Sequence, residues 1–278
     1  MLLTRALSAI VLIPVVLTLA WLGGLGFLLL VGGFTLLGSI EFYQLMRHGG
    51  HRPLWFLGIP VALALVGLAY LGTPPTWDGA LVAVATLLAL GLLTLRQDLR
   101  GALTDWALTV AGGLYLGLPM ACFIRLRALP DGPVYAATNG LLPDGLAWLL
   151  AGVLPVWACD ASAYLVGRLI GRRPFFHHIS PKKTCEGAVG GLLAGVLIAT
   201  VALLFLGQPI WLSLIVGLLL TVAAILGDLA ESLIKRQVGV KDSGRLIPGH
   251  GGALDRLDSL LFTAVVFYYY VFLVLRLS

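Results

Sequence analysis

AVGGLLAGVLIATVALLFLG, residues 188–207, runs for 20 residues without a charged side chain. A helix crossing the hydrocarbon core of a bilayer needs about 20 mostly apolar residues. No water reaches that depth, so the backbone must satisfy its own N–H and C=O groups, and a helix does this within one segment. Outward from this block, comparable stretches lie at 6–22, 25–46, 54–72, 79–95, 104–124, 145–167, 210–230 and 259–277. Of the 278 residues, 59% are hydrophobic and 11% charged, against about 25% charged in soluble domains. A water-soluble fold of this size would lack the polar surface to cover itself. The reading is an all-α, polytopic integral membrane protein with about nine transmembrane helices and a cytoplasmic N-terminus.

Charge placement sets that direction. With the N-terminus inside, the inner segments hold Arg5, Arg47, Arg52, Arg96, Arg100, Arg168, Arg172, Arg173, Lys182, Lys183, Lys235, Arg236, Lys241, Arg245 and Arg256, 15 of the 18 basic residues. Arg125, Arg127 and Arg276 fall outside. Cytoplasmic loops accumulate Lys and Arg, and losing one span would scramble the split. Residues 6–22 follow a single Arg5 as a signal peptide would, but another apolar block comes directly after Gly23-Gly24 and no A-x-A site stands out. A retained first span is expected. Cys122, Cys159 and Cys185 are far apart with no CxxC, and read as free thiols. His48, His51, His177 and His178 read as interfacial residues.

The chain divides by content into 1–140, N-terminal helices with sparse loops that shape a lipid cavity or support the fold, and 141–278, which carries nearly all the chemistry. Two loops on the same expected side hold it. The first contains Gly167-Arg168, Gly171-Arg172-Arg173, Ile179-Ser180-Pro181-Lys182-Lys183-Thr184 and Glu186-Gly187. The second contains Gly227-Asp228, Glu231-Ser232, Lys235-Arg236, Lys241-Asp242, Pro248-Gly249-His250-Gly251-Gly252 and Asp255-Arg256-Leu257-Asp258. Helical spacing puts Asp228, Ser232 and Lys235 on one face, and Asp255 and Asp258 on another if the last helix starts there. Asp160 and Asp228 sit at membrane depth, where an acid is costly and marks function by default. Carboxylates without His or Cys partners favour a hard cation such as Mg2+, and Lys and Arg beside Gly-rich turns favour phosphate oxygens. Together they describe metal-assisted phosphoryl or nucleotidyl transfer. Neither a P-loop nor a Rossmann glycine pattern is present.

Residues 232–258 read S-x-aliphatic-K-R, four residues, K-D, a short spacer, P-x-H-G-G and D-R-x-D. This resembles the signature of the bacterial phosphatidate cytidylyltransferase (CDP-diacylglycerol synthase) family almost throughout. The I-S-P-K-K-T-x-E-G stretch at 179–187 and the segment Asp160–Gly171 resemble the family too. The first half matches only in being several spans. Ala253 stands where the family usually places a larger aliphatic residue, a packing difference.

The resemblance implies transfer from CTP to phosphatidate with Mg2+ (and room for a second cation), and a homodimer in the bacterial cytoplasmic membrane with its active site at the cytoplasmic face. No nucleic acid partner is implied. The phosphatidate oxygen would attack the α-phosphorus of CTP in line. The expected catalytic residues are Asp228, Lys235, Arg236, His250, Asp255 and Asp258. Asp228, Asp255 and Asp258 are the candidate metal ligands, with a helix-end acid paired to Arg256 or Lys235 as the competing role; Asp160 fits a second cation, a polar cavity wall or a structural pair. Lys182, Lys183, Lys241, Asp242 and Arg256 are assigned to substrate, with positive-inside anchoring as the competing role of the lysines. Gly251 and Gly252 would let backbone approach phosphate, with a plain loop turn as the competing reading. Ser180 and Ser232 fit phosphate binding or helix capping. The competing functions are a CTP-dependent transferase acting on another lipid phosphate and an ion-coupled transporter using Asp160 and Asp228. An alcohol phosphatidyltransferase is rejected because Asp131-Gly132 and Asp144-Gly145 lack the Ala-Arg of that motif.

Overall fold

The computed structural model describes residues 13–244 and 251–277, with side chains described through residue 274. Its helices are α1 (Ile13–Leu22), α2 (Gly24–His48), α3 (Trp55–Tyr70), α4 (Pro75–Leu93), α5 (Ala102–Arg127), α6 (Pro133–Ala137), α7 (Asp144–Ile170), α8 (Cys185–Phe205), α9 (Ile210–Gln237) and α10 (Leu254–Leu277). No strand forms among the described residues; an isolated antiparallel bridge joins Pro174 and Thr184. The helices α2, α4, α5, α7, α8, α9 and α10 are long and apolar enough to cross a membrane, and α1 and α3 are apolar but shorter. The protein is an all-helical, polytopic membrane protein.

Burial follows the logic of a bilayer solvent. Glu41, Asp78, Asp105, Thr109 and Asp144 are buried, while Leu29, Leu87, Leu193 and Leu197 face outward. Lipid tails are as apolar as leucine, so no hydrophobic force drives these helices together, and small residues and polar contacts must do it.

Two helices depart from the apolar blocks. α9 runs on to Gln237, and α10 begins at Leu254, ahead of the apolar block that starts at 259. Both extensions are polar, and the residues 231–237 are good helix formers with no breaker until Gly239. Asp255 and Asp258 therefore both lie at the beginning of α10.

The chain splits into two compact units, the division falling inside α9 and α10. The first contains the described residues up to Ala128 together with Lys235–Leu257. Here α3 and α5 approach closely: a Cβ added at Gly117 would lie 2.8 Å from the Ala62 Cα. Tyr43 Oη donates to the Thr109 carbonyl (2.7 Å), and Thr109 Oγ1 accepts from Leu54 N (2.8 Å). At the start of α5, Asp105 pairs with Arg96 at 2.7 Å and accepts from Arg52 N at 2.6 Å. At its far end Arg125 pairs with the buried Asp78 at 2.8 Å. Beside it, Arg127 donates to the carbonyls of Ala20 (2.6 Å) and Trp21 (2.7 Å). Those carbonyls end α1 and have no partner within it.

The second unit comprises Leu129–Ile234 and the chain from Asp258 onward. Its centre is the α7–α8 pair. Cβ atoms at Gly187, Gly190 and Gly191 would lie 2.7 Å from the Ala163 carbonyl, 2.6 Å from the Val166 side chain and 2.8 Å from the Cys159 carbonyl. Trp148 packs on Phe267 with ring centroids 6.2 Å apart. Asp144 is buried and accepts from Gly132 N (2.8 Å) and Tyr135 N (2.8 Å), so it holds the turn before α7.

Candidate active site

The first unit gathers the signature around one carboxylate. Asp255 Oδ1 meets Lys235 Nζ at 2.7 Å, with the two side chains 8% and 12% exposed. Asp255 Oδ2 accepts from Ser243 N (3.1 Å) and from Gly252 N (2.8 Å). The acid thus reaches back from the first turn of α10 and ties together both flanks of the preceding loop. An acid in that turn also complements the exposed N–H groups of the helix start. Gly251 has φ +84°, and a Cβ there would stand 2.6 Å from Asp255 Oδ2. Backbone conformation and contact both require glycine at this position.

Arg236, on the last turn of α9, donates from Nη1 to the Val240 carbonyl at 3.1 Å. Lys241, Asp242 and Arg256 are exposed. His250 lies outside the described residues, as do Arg5 and Arg245.

The second unit brings the other motif to α9. Lys183 Nζ and Asp228 Oδ2 are 2.5 Å apart, each side chain about one-third exposed. The segment before α8 folds back on itself: Phe175 N donates to the Lys183 carbonyl (2.8 Å), and Cys185 N to the Arg173 carbonyl (2.8 Å). Glu186 accepts from Arg172 N at 3.0 Å and Arg173 N at 3.2 Å. Thr184 caps α8 by accepting from Gly187 N at 3.2 Å, the expected role of a hydroxyl at a helix start. Ser180 stands in a turn whose carbonyl accepts from Lys183 N at 3.1 Å, and Lys182 is exposed.

Three charged groups share this neighbourhood. Asp160, Asp228 and Lys183 all lie close enough to the Cys159 thiol to act on it electrostatically. Gly227 packs directly on the backbone of Asp258 and Ser259, and Asp258 Oδ1 accepts from Ser259 N at 2.7 Å. Ser232 is half-buried on α9. No group of three or more His, Cys, Asp or Glu residues gathers to hold an ion among the described residues. An all-protein metal cage is therefore not the arrangement found. Asp160, Asp228 and Asp258 supply the hard oxygen donors that Mg2+ takes, and Mg2+ usually needs one or two carboxylates plus phosphate oxygens. The donor chemistry of this unit fits that mode, whereas both oxygens of Asp255 are engaged by neighbouring protein donors.

Sequence reasoning passed over Glu41. It is 1% exposed, yet its carboxyl accepts from Ser243 Oγ (3.1 Å), Ala253 N (3.0 Å) and Leu254 N (2.8 Å). A lone acid near the end of an apolar helix is a recognisable signal.

The chain matches the family model described as "Cytidylyltransferase family" over residues 3–274. It is 35% identical to a phosphatidate cytidylyltransferase of Synechocystis, with 98% of this chain and 97% of that protein covered. It is 33% identical to a phosphatidate cytidylyltransferase of Staphylococcus haemolyticus over 93% of this chain and 94% of that protein. A phosphatidate cytidylyltransferase of Staphylococcus aureus shares 31% identity over the same proportions. With the match running nearly end to end, the chain belongs to the cytidylyltransferase family.

Proposed function

We propose that this protein is a CTP:phosphatidate cytidylyltransferase, a nucleotidyltransferase of phospholipid biosynthesis. A phosphatidate oxygen forms a bond to the α-phosphorus of CTP, the α–β anhydride bond breaks with its electron pair passing to pyrophosphate, and CDP-diacylglycerol results. The nucleophile is already anionic, so no general base is required. The observation that carries the reading is the Lys183–Asp228 contact at 2.5 Å, which joins the P-K-K-T segment to the α9 acid within one unit. The near full-length relatives named for this reaction support the choice of CTP and phosphatidate.

In this reading Lys183 exchanges its carboxylate partner for substrate phosphate, leaving Asp228 to serve the cation. Asp228, with one of Asp160 and Asp258 beside it, would hold Mg2+, which when bound supplies charge neutralisation on the phosphates. Within the second unit Lys182 is a further cation for phosphate; within the first unit Lys235, Arg236 and Lys241 are the cations offered to phosphate oxygens. Asp255 acts chiefly by fixing Lys235 and the glycine turn, because its oxygens are engaged. Pre-set charges stabilise the spread charge of phosphoryl transfer without the reorganisation that water needs. A homodimer in a bacterial cytoplasmic membrane, with the site facing the cytoplasm, belongs to the same proposal. It is supported by the family resemblance and by the 15 of 18 basic residues assigned to that face.

Purified protein given Mg2+, CTP labelled at the α-phosphate and phosphatidate is expected to form labelled lipid, and chelation of Mg2+ to abolish it. Absence of labelled lipid with intact, folded protein would refute the proposal. Preference for an isoprenoid ether lipid phosphate over phosphatidate would reassign the acceptor.

A further inference from the structure

Glu41 has no part in the reaction as described, yet it is the only acid from α2 held against the signature residues of the first unit among the described residues. Its contacts are 202 to 213 residues away in sequence. One oxygen accepts from Ala253 N, and the other from Leu254 N and Ser243 Oγ. Gly244 and Gly252 both press on the same carboxyl so closely that neither has room for a Cβ. Asp255 grips the same two flanks, through Ser243 N and Gly252 N, while holding Lys235. Two acids therefore fasten Ser243–Gly244 to Gly252–Leu254, and the intervening chain carries Pro248 and His250.

Burying a carboxyl in an apolar helix bundle is expensive unless its hydrogen bonds are made. A helix start could be capped more cheaply by a local Ser or Asp. A distant, buried acid costs more and does something a local cap does not: it locates the start of α10, and with it Asp255, relative to α2.

We propose that Glu41 is a positioning residue for nucleotidyl transfer, setting the place of the Asp255–Lys235 pair through Ser243 and the backbone of Gly252–Leu254. The inference rests on the proposed function, and its test separates the two. Glu41→Gln keeps the size of the side chain but turns an amide N–H₂ toward a backbone N–H. Misplacement of about 1 Å in a phosphate-positioning group costs on the order of 100-fold in rate, so Glu41→Gln is expected to lower kcat about 10- to 100-fold. KM for CTP and phosphatidate should stay within about twofold, as expected when an interaction matters mainly in the transition state. Ser243→Ala, which deletes one of the three contacts, is expected to lower kcat by a smaller factor.

Amide hydrogen exchange on the same preparations reads the positioning directly. In Glu41→Gln it should accelerate in 251–257 and stay as in the wild type across α3, α5, α7 and α8. Wild-type kcat in Glu41→Gln would overturn the proposal. So would accelerated exchange throughout the helices with a matching loss of folded protein, which marks a purely structural acid. If wild-type protein makes no labelled lipid, the functional reading fails by itself, and the exchange measurement still decides whether Glu41 fastens this segment.

Discussion

At the scale of single residues, the acids of the signature separate into two kinds. Asp255 is nearly enclosed with Lys235, so removing one partner leaves a buried charge uncompensated. Asp228 and Lys183 are each about one-third exposed, where solvent weakens the pair. Asp255→Ala is expected to destabilise the protein by about 3 kcal/mol, seen as a clear fall in the thermal midpoint in detergent. Asp228→Asn should cost no more than about 1 kcal/mol. In function the exposed acid matters as well: Asp228→Asn is expected to lower kcat by about 100-fold or more, measured in the CTP incorporation assay at equal amounts of folded protein. Full Mg2+-dependent turnover in that variant would remove Asp228 from the metal site.

At the scale of elements, the α7–α8 pair shows how a membrane helix contact is built without hydrophobic drive. Gly187 and Gly191 bring α8 against backbone carbonyls of α7, so bulk has nowhere to go. Gly191→Val is expected to cost about 2 kcal/mol through overpacking, read as a lower thermal midpoint. Leu193→Ala, on the outward face of α8, should leave that midpoint unchanged. Because Thr184 and Glu186 anchor the turn before α8, Gly191→Val should also disturb the Lys183–Asp228 pair and lower kcat. A variant that melts as wild type would show that α7 and α8 do not pack this closely.

At the scale of the whole molecule, the proposed orientation rests on charge. Two of the three basic residues assigned to the outer side have internal partners: Arg125 pairs with Asp78, and Arg127 caps α1. Such residues serve the fold, which makes the remaining inward bias cleaner. With Cys122, Cys159 and Cys185 replaced by alanine, Asp98→Cys is expected to react with a membrane-impermeant thiol reagent from the cytoplasmic side alone. Asp131→Cys should react from the opposite side alone. Both reacting from one side would break the alternation of spans.

Taken alone, the sequence determined the helical membrane architecture and the family signature carried by the two polar loops. Its apolar blocks are long and local, and a bilayer forces each to satisfy its backbone within itself; the signature, for its part, is contiguous from Ser232 to Asp258. The tertiary structure alone decided which charges meet. Neither the pairing of Lys183 with Asp228 nor the capture of Ser243 and Leu254 by Glu41 has a local spacing rule behind it. Helix ends were settled there too, since α9 and α10 carry polar turns beyond their apolar blocks. The physical reason is range: hydrophobic length acts on neighbours in sequence, whereas hydrogen bonds and ion pairs form between groups that only the folded chain brings within about 3 Å.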